Sequence, residues 1–389
     1  MKQSVAIIDP VGSKAGIDQY DILLLQGMKV SGFDCTLYSN FEYTGQDFHY
    51  HRNFFNTDVA KWKSVLSLFT GFFKSLRDAK KKNIPWLILH IFRAGIFDLF
   101  SLTLARLMGF KILAIIHDIE SLDTFTLPII RKTVIGTLPH LRVVHNQFCK
   151  DELSKSIGKV ALMNTGIVPH VNFINVFSEY HKNPFLQQQL LKNEKLLNEL
   201  DPSIPQLIAE KIPFILFFGQ IKKAKGLDIL LEAVSLCTTN FRLIIAGKLR
   251  NETRERYDQL ISTYQISEKV IPLIRHITDI ERDTLFALAT CIVLPYRWIY
   301  QSGVLLMTMS FPMAVIASDL SPNRDLVENG RNGLLFPSEN PKALAAKIDD
   351  LVSGRIDATS LKSRAITDVM ELYSPEKTGA AFAKLIKEY

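Results

Sequence analysis

Cysteine is scarce in this chain and scattered: Cys35, Cys149, Cys237 and Cys291 stand far apart, with no paired spacing. That excludes a disulfide framework and a zinc knuckle, and predicts four small buried hydrophobes in a reducing, cytoplasmic setting. Long apolar runs are missing as well. No stretch reaches the roughly 18 uncharged apolar residues that a membrane-crossing helix needs. The nearest, AGIFDLFSLTLARLMGFKILAII, is interrupted by Asp98, Arg106 and Lys111. The opening MKQSVAIIDP falls short of the apolar core of a signal peptide and is predicted to form a first β-strand. No short-period repeat is visible.

What is present is an ordinary folded composition, 47% hydrophobic and 22% charged over 389 residues, long enough for two cores. A net charge of +7 favours anionic partners: a phosphorylated substrate, an anionic membrane face or nucleic acid. No aromatic and basic strand platform or recognition motif for nucleic acid accompanies that charge, so nucleic acid is not an expected partner.

Short Val-, Ile- and Leu-rich runs alternate with helix-length segments through SVAIID, GIDQYDILLLQGMKVSG, DCTLYS, WLILHIF, FDLFSLTLARLMG, KILAIIHD, LRVVHN and KVALMNTGI. This is the pattern of a parallel sheet covered on both faces, and it predicts a Rossmann-like domain over 1–168. A stretch rich in Gln, Lys and Glu with prolines at its edges predicts a linker and a surface helix over 169–210. Alternation restarts at FILFFG and predicts a second doubly wound α/β domain over 211–370. The last segment, 371–389, is predicted to be a helix packing back toward the N-terminal domain. Two such domains facing across a cleft would present the carboxyl ends of both sheets, where ligands bind in open α/β folds.

The most specific stretch is FFGQIKKAKGLDILLEAVSL. A strand ends at Gly219, a lysine-rich loop follows, and Gly226 opens an amphipathic helix. Glycine permits close backbone approach, the helix aims its first amides at the loop, and Lys225 adds a full charge. That predicts a diphosphate site; the plain alternative is a tight turn whose lysines face water. KILAIIHDIES ends a strand with His117 and Asp118, a pair able to exchange a proton or to cap the loop. His145 ends another strand in LRVVHN, before the turn into a helix. DPVGSKAGIDQYDILLL places Gly12 and Gly16 between the first strand and its helix.

In KWKSVLSLFTGFFKSLRDAKKKN, residues Trp62, Val65, Leu66, Phe69, Phe73 and Leu76 share one helical face, beside Lys61, Lys63, Lys74, Arg77 and Lys80 to Lys82. Such a helix suits an anionic membrane surface or, equally, a core-facing position with a solvated charged side. Gly71 weighs against helix continuity.

The blocks FGQIKKAKGLDILLEA, FRLIIAG, CIVLPY, AVIASD and NRDLVENGRNGLLFPSENPKALAAKI, in this order over 212–348, resemble the C-terminal domain of GT-B fold glycosyltransferases, especially family four. The resemblance implies that Lys225 and Gly226 grip the diphosphate of a nucleotide-sugar donor beside Gly219. Gln220 stands where an arginine commonly follows that glycine. In YRWIYQSGVLLMTMSFPMAVIASD, Tyr300, Gln301, Ser302 and Gly303 align with the block that begins with the family's first glutamate, and Met307 or Thr308 with the second. Both acids are missing.

The resemblance leaves Tyr300, Ser302, Gly303 and Val304 at the donor, the serine also being an ordinary helix cap. It further places Asp325 where an acid often meets the donor, His276 where backbone holds the base, Gly16 opposite the donor phosphates, and His117 and Asp118 near the acceptor or the transferred sugar. The implied protein is a metal-independent glycosyltransferase, without a further cofactor. It would move sugar from a nucleotide-diphosphate donor to a glycan or lipid-diphosphate-linked acceptor in cell-surface polysaccharide biosynthesis, with peripheral membrane contact through 61–82. Loss of both acids keeps open a non-catalytic GT-B protein that steadies a partner transferase.

Overall fold

The computed structural model describes residues 3–12, 17–54, 61–119, 127–183 and 185–389. It divides into one unit of Met1–Val171 with Leu372–Tyr389, and a second of Asn172–Glu371.

The first unit is built on seven strands: β1 (Ser4–Ile8), β2 (Asp34–Ser39), β3 (His49–Arg52), β4 (Trp86–Ile91), β5 (Lys111–Ile116), β6 (Leu141–Val144) and β7 (Thr165–Ile167). Their order is β3-β2-β1-β4-β5-β6-β7, and every pair is parallel. The chain winds outward from β1, returns to β4 on its other side and winds outward again, so the order reverses between β1 and β4. β3 reads HYHR and is an edge strand without an apolar run, so the sequence does not announce it. KVALMNTGI divides into a helix, Lys159–Met163, and β7.

Helix Ile17–Val30 buries Tyr20, Leu23, Leu24, Leu25 and Met28. Against it lies the last helix, Pro375–Glu388, which buries Phe382, Ala383 and Ile386. The two backbones meet at glycines: a Cβ on Gly27 would lie 1.7 Å from the Pro375 carbonyl oxygen, and one on Gly379 2.1 Å from Gly27 C. Lys387 Nζ donates to the Ser31 carbonyl at 3.4 Å, and the Tyr389 ring meets Trp86 edge-on at 5.5 Å. These contacts make residues 372–389 part of the first unit.

Helix Lys61–Lys81 runs unbroken through Gly71. A Cβ there would fall 2.5 Å from the Asn53 carbonyl oxygen, so glycine serves close packing at this point rather than a break. The buried stripe is Phe72, Ser75, Leu76 and Ala79, while Leu66 and Phe73 are exposed. The apolar face expected from spacing is therefore divided: Leu76 joins the core, and Phe69 packs edge-on against Phe97 and Phe100. Trp62 and Val65 lie outside the residues whose side chains are described.

The second unit has six parallel strands, β8 (Phe214–Phe218), β9 (Arg242–Ala246), β10 (Val270–Leu273), β11 (Cys291–Leu294), β12 (Ala314–Ser318) and β13 (Leu334–Phe336), in the order β10-β9-β8-β11-β12-β13. Its core gathers Ile215, Phe217, Leu230, Val234, Ile245, Val293 and Ile316 with helix residues Leu344 and Ile348.

Between Ser178 and Ala209 the chain forms four short helices, Ser178–Lys182, Phe185–Lys192, Glu194–Leu200 and Ile204–Ala209, where one surface helix was expected. This stretch is tied to the second unit. Asn172 Nδ2 donates to the Val369 carbonyl at 2.7 Å, Tyr180 Oη to Asp283 at 2.9 Å, and the His181 ring nitrogen to the Ser310 carbonyl at 2.8 Å.

Candidate functional site

In the second unit, β8 and β11 are neighbours, and the loops at their carboxyl ends hold most of the sequence-predicted donor residues. Gly219 leaves β8 at φ +109°, and a Cβ on it would touch Val304 Cγ2 at 3.5 Å. After the turn Lys223–Lys225, Gly226 has φ +66°, and a Cβ there would meet the Pro295 carbonyl oxygen at 1.9 Å. Only glycine lets this loop lie against the end of β11.

Arg297 fastens the same loop. Its backbone N–H donates to the Ala224 carbonyl at 3.0 Å and its guanidinium to the Lys223 carbonyl at 3.2 Å, to both Asp228 oxygens at 2.6 and 3.0 Å, and to Glu339 at 3.1 Å. Partial burial pushes the Asp228 carboxyl up, but hydrogen bonds and charge from Arg297, with Arg256 beyond, hold it below the ordinary value. No sequence pattern singles out Arg297.

Lys225 Nζ stands 3.8 Å from the centroid of the buried Tyr296 ring. The Tyr296 hydroxyl lies 3.4 Å from Ser302 Oγ, which accepts the Leu305 N–H at 3.1 Å and so caps helix Gly303–Ser310. The loop cation and this helix N-terminus thus belong to one cluster. The N–H groups of Gly303 and Val304 have no acceptor within their helix, because first-turn amides never do. A full charge over an aromatic face beside such amides suits an anion.

Gln220 Oε1 accepts from Arg250 Nη1 at 3.0 Å. A guanidinium thus lies beside Gln220, brought there by the loop after β9, a placement that no local pattern signals. His276 is exposed after β10, where Arg275 pairs with Glu281 at 2.7 Å. Asp325 is exposed after the short helix Ser321–Arg324, and the partial burial of its carboxyl raises its pKa above the ordinary value.

Where the resemblance expects glutamates, Tyr300 is buried and edge-on to Trp298 at 5.6 Å, and Thr308 is buried with its hydroxyl on the Val304 carbonyl at 2.7 Å. Neither position offers a carboxylate.

In the first unit, five strand ends converge on helix Ile17–Val30. Asp9 follows β1, His90 lies in β4, His117 follows β5, His145 follows β6 and His170 follows β7. The Tyr20 ring meets all four imidazoles edge-on, at 5.5, 6.0, 5.7 and 4.6 Å for His90, His117, His145 and His170. His90 Nε2 lies 2.7 Å from Asp21 Oδ1, and His90 Nδ1 2.7 Å from His117 Nε2. Phe92 stacks on His117 at 4.4 Å.

Burial, which disfavours charge, pushes His90 and His170 down to about 4, His145 to about 3, and His117 well below the usual histidine value. The same desolvation, with the charge of Asp21 adding to it, raises Asp9 to about 7; desolvation, with the charge of Asp18 adding to it, raises Asp21 well above the carboxylate range. Asp9 accepts the backbone N–H groups of Val11 and Gly12, so Gly12 closes a turn on β1. Gly16 lies outside the described residues, and Asp118 is half-buried.

The sequence picked out His117 and Asp118. His90, Asp21, Asp9 and Tyr20 were missed, because their neighbourhood exists only once the sheet order joins distant strand ends.

Two doubly wound parallel units make the fold that of GT-B glycosyltransferases. Sucrose-phosphate synthase from Thermosynechococcus elongatus matches with a TM-score of 0.73 over 100% of this chain and 99% of that one, at 16% identity. HepE from Anabaena, solved in complex with UDP-glucose, matches with 0.69 over 99% and 100%, again at 16% identity. Residues 203–368 match the family model of glycosyl transferases group 1, in agreement with the resemblance seen in the sequence blocks. Among characterised sequences, alpha-D-kanosaminyltransferase of Streptomyces kanamyceticus is 24% identical over 183 residues, 45% of this chain and 46% of that protein. The chain thus aligns with less than half of that relative's length.

Proposed function

We propose that the protein is a glycosyltransferase moving a sugar from a nucleotide-diphosphate donor to a hydroxyl of a glycan or lipid-diphosphate-linked acceptor, in the assembly of cell-surface polysaccharide. The second unit takes the donor and the first the acceptor. The observation that carries this reading is Lys225 Nζ, 3.8 Å from the Tyr296 ring and joined through it to the Ser302-capped helix. Lys225, Ser302, the amides of Gly303 and Val304, and Arg250 at Gln220 would stabilise the departing diphosphate as its charge develops, with no metal required. His117 or Asp118 takes the acceptor's proton if configuration inverts; if it is retained, oxygens of the leaving diphosphate do so.

The family match over 203–368 and the UDP-glucose bound by the structurally similar HepE support the donor class. Among the described residues no helix is long and apolar enough to cross a membrane. Peripheral contact with an anionic membrane would use exposed Leu66 and Phe73 with Lys74, Arg77, Lys80 and Lys81.

The test is thermal shift of the purified protein, and of Lys225→Ala, against UDP, GDP, CMP and their sugar conjugates. One diphosphate is expected to stabilise the protein, and the variant to bind it roughly 10- to 150-fold more weakly, the worth of one charge-assisted contact. No shift with any nucleotide from folded protein would overturn the reading. The missing carboxylates at Tyr300 and Thr308 favour one second reading, a non-catalytic protein that steadies a partner transferase. In that case Lys225→Ala leaves partner binding intact.

A further inference from the structure

At the carboxyl end of the first sheet, four titratable groups from four elements form a chain that leads from the interior to the surface. Asp9 and Asp21 are adjacent buried carboxyls; Asp21 Oδ1 meets His90 Nε2, and His90 Nδ1 meets His117 Nε2. His117 is half-buried, and its Nδ1 makes no hydrogen bond among the described residues. His90 is 3% exposed and Asp21 0%.

A hydrogen bond between two neutral imidazoles needs one donor and one acceptor, so the protonation of either ring dictates the other. Two arrangements satisfy every link. In the first, Asp21 Oδ1 accepts from His90 Nε2–H, His90 Nδ1 accepts from His117 Nε2–H, and His117 Nδ1 is bare. In the second, Asp21 Oδ1 carries a proton and donates to His90 Nε2, His90 Nδ1–H donates to His117 Nε2, and His117 Nδ1 carries a hydrogen. They differ by one proton, and neither contains an imidazolium. Burial lowers both histidines and raises both carboxyls, so a proton that reaches His117 comes to rest on the carboxyl pair. Asp21 Oδ2 is buried without a hydrogen-bond donor among the described residues, and two adjacent buried carboxyls cannot both be ionised, so the pair shares a proton.

The two neighbouring histidines have hydrogen bonds of their own. His145 and His170 point Nδ1 at the carbonyls of Val168 and Val171, at 2.8 and 2.7 Å, which fixes both as Nδ1–H donors. Tyr20 and Asp18 face it from the same helix as Asp21, Asp118 follows His117, and Phe92 covers one ring face. Among the described residues no His, Cys, Asp and Glu group is arranged to hold a metal ion.

We propose that Asp9, Asp21 and His90 are positioning residues that set the tautomer of His117, making Nδ1 an acceptor for a substrate sugar hydroxyl when the carboxyl pair holds one proton and a donor when it holds two. The sugar ligand rests on the glycosyltransferase reading; the tautomer coupling does not.

The test uses the full chain labelled with 15N-histidine, its ring nitrogens followed by long-range 1H–15N spectra between about pH 5.5 and about pH 8.5. His90 and His117 are expected to exchange Nε2–H for Nδ1–H together as the pH falls, without an imidazolium pattern. In Asp21→Asn the exchange disappears, while His145 and His170 keep their Nδ1–H signals as evidence of an intact fold. An imidazolium at either ring, tautomers of the wild type that ignore pH, or an exchange that persists in Asp21→Asn would each overturn the proposal. With the donor found by thermal shift, Asp21→Asn should also flatten the acid limb of the kcat/KM profile. Coupled tautomers without any sugar transfer would sink the glycosyltransferase reading alone, and transfer without coupling would sink the chain alone.

Discussion

Acidification from about pH 6.5 to about pH 4.5 is expected to remove about 4 kcal/mol of stability from the first unit, a large part of what a domain of its size holds. His90 and His170 at about 4, His145 at about 3 and His117 well below the usual value stay neutral in the folded unit. Unfolded, each titrates near the ordinary histidine value of 6.5. Their contribution is therefore complete above that value and is lost as the pH falls toward the folded ones. Asp9 and Asp21 act with the opposite sign: their contribution is complete below the ordinary carboxylate value of 3.8 and is lost as pH rises through their raised folded values, about 7 for Asp9.

Four histidines against two aspartates leave a net uptake of about two protons on unfolding near pH 5, or about 3 kcal/mol per pH unit. Urea melts followed by tryptophan fluorescence across this range measure the slope. In Asp9→Asn, which removes one opposing carboxyl, the fall should be steeper. A stability that is flat between pH 7 and pH 5 would contradict the cluster's burial.

Gly379→Ala should destabilise the first unit by about 1–3 kcal/mol, although alanine in a helix interior ordinarily gains about 1 kcal/mol over glycine. The added methyl would lie 2.1 Å from Gly27 C and 2.4 Å from Met28 N, backbone atoms that cannot swing aside. The helices Ile17–Val30 and Pro375–Glu388 must separate to admit it. Hydrogen exchange should then rise along 375–388 and in Ile17–Val30 while the second unit is unaffected. Gly158→Ala is the control, because nothing lies within 4 Å of a Cβ there. Equal tolerance of both variants would mean that the crossing is not tight.

Much of the fold was legible because a parallel sheet covered on both faces must be written in continuous Val, Ile and Leu runs, as in WLILHI and KILAII. β3 escaped because an edge strand is under no such demand. The donor loop was legible because Gly219, Lys225 and Gly226 work through local backbone geometry and charge. Arg250 and Arg297 were not, since each acts on a loop far from it in sequence. The histidines show the same limit: a lone His at the end of one strand carries little information until neighbouring strand ends are known. The face of Lys61–Lys81 is divided, Leu76 meeting the core beside Phe72 while Leu66 and Phe73 are exposed, because spacing alone cannot tell which of two overlapping apolar stripes meets the core.

The crossing at Gly27 and Gly379 also orders events on the ribosome. Helix Ile17–Val30, which carries Asp21, emerges long before the helix that covers it, Pro375–Glu388. The entire second unit is translated in between, and domains generally fold as they emerge. A nascent chain therefore has a folded second unit before it can close the first, and a message that ends before codon 375 yields a protein whose Asp21 helix is left uncovered.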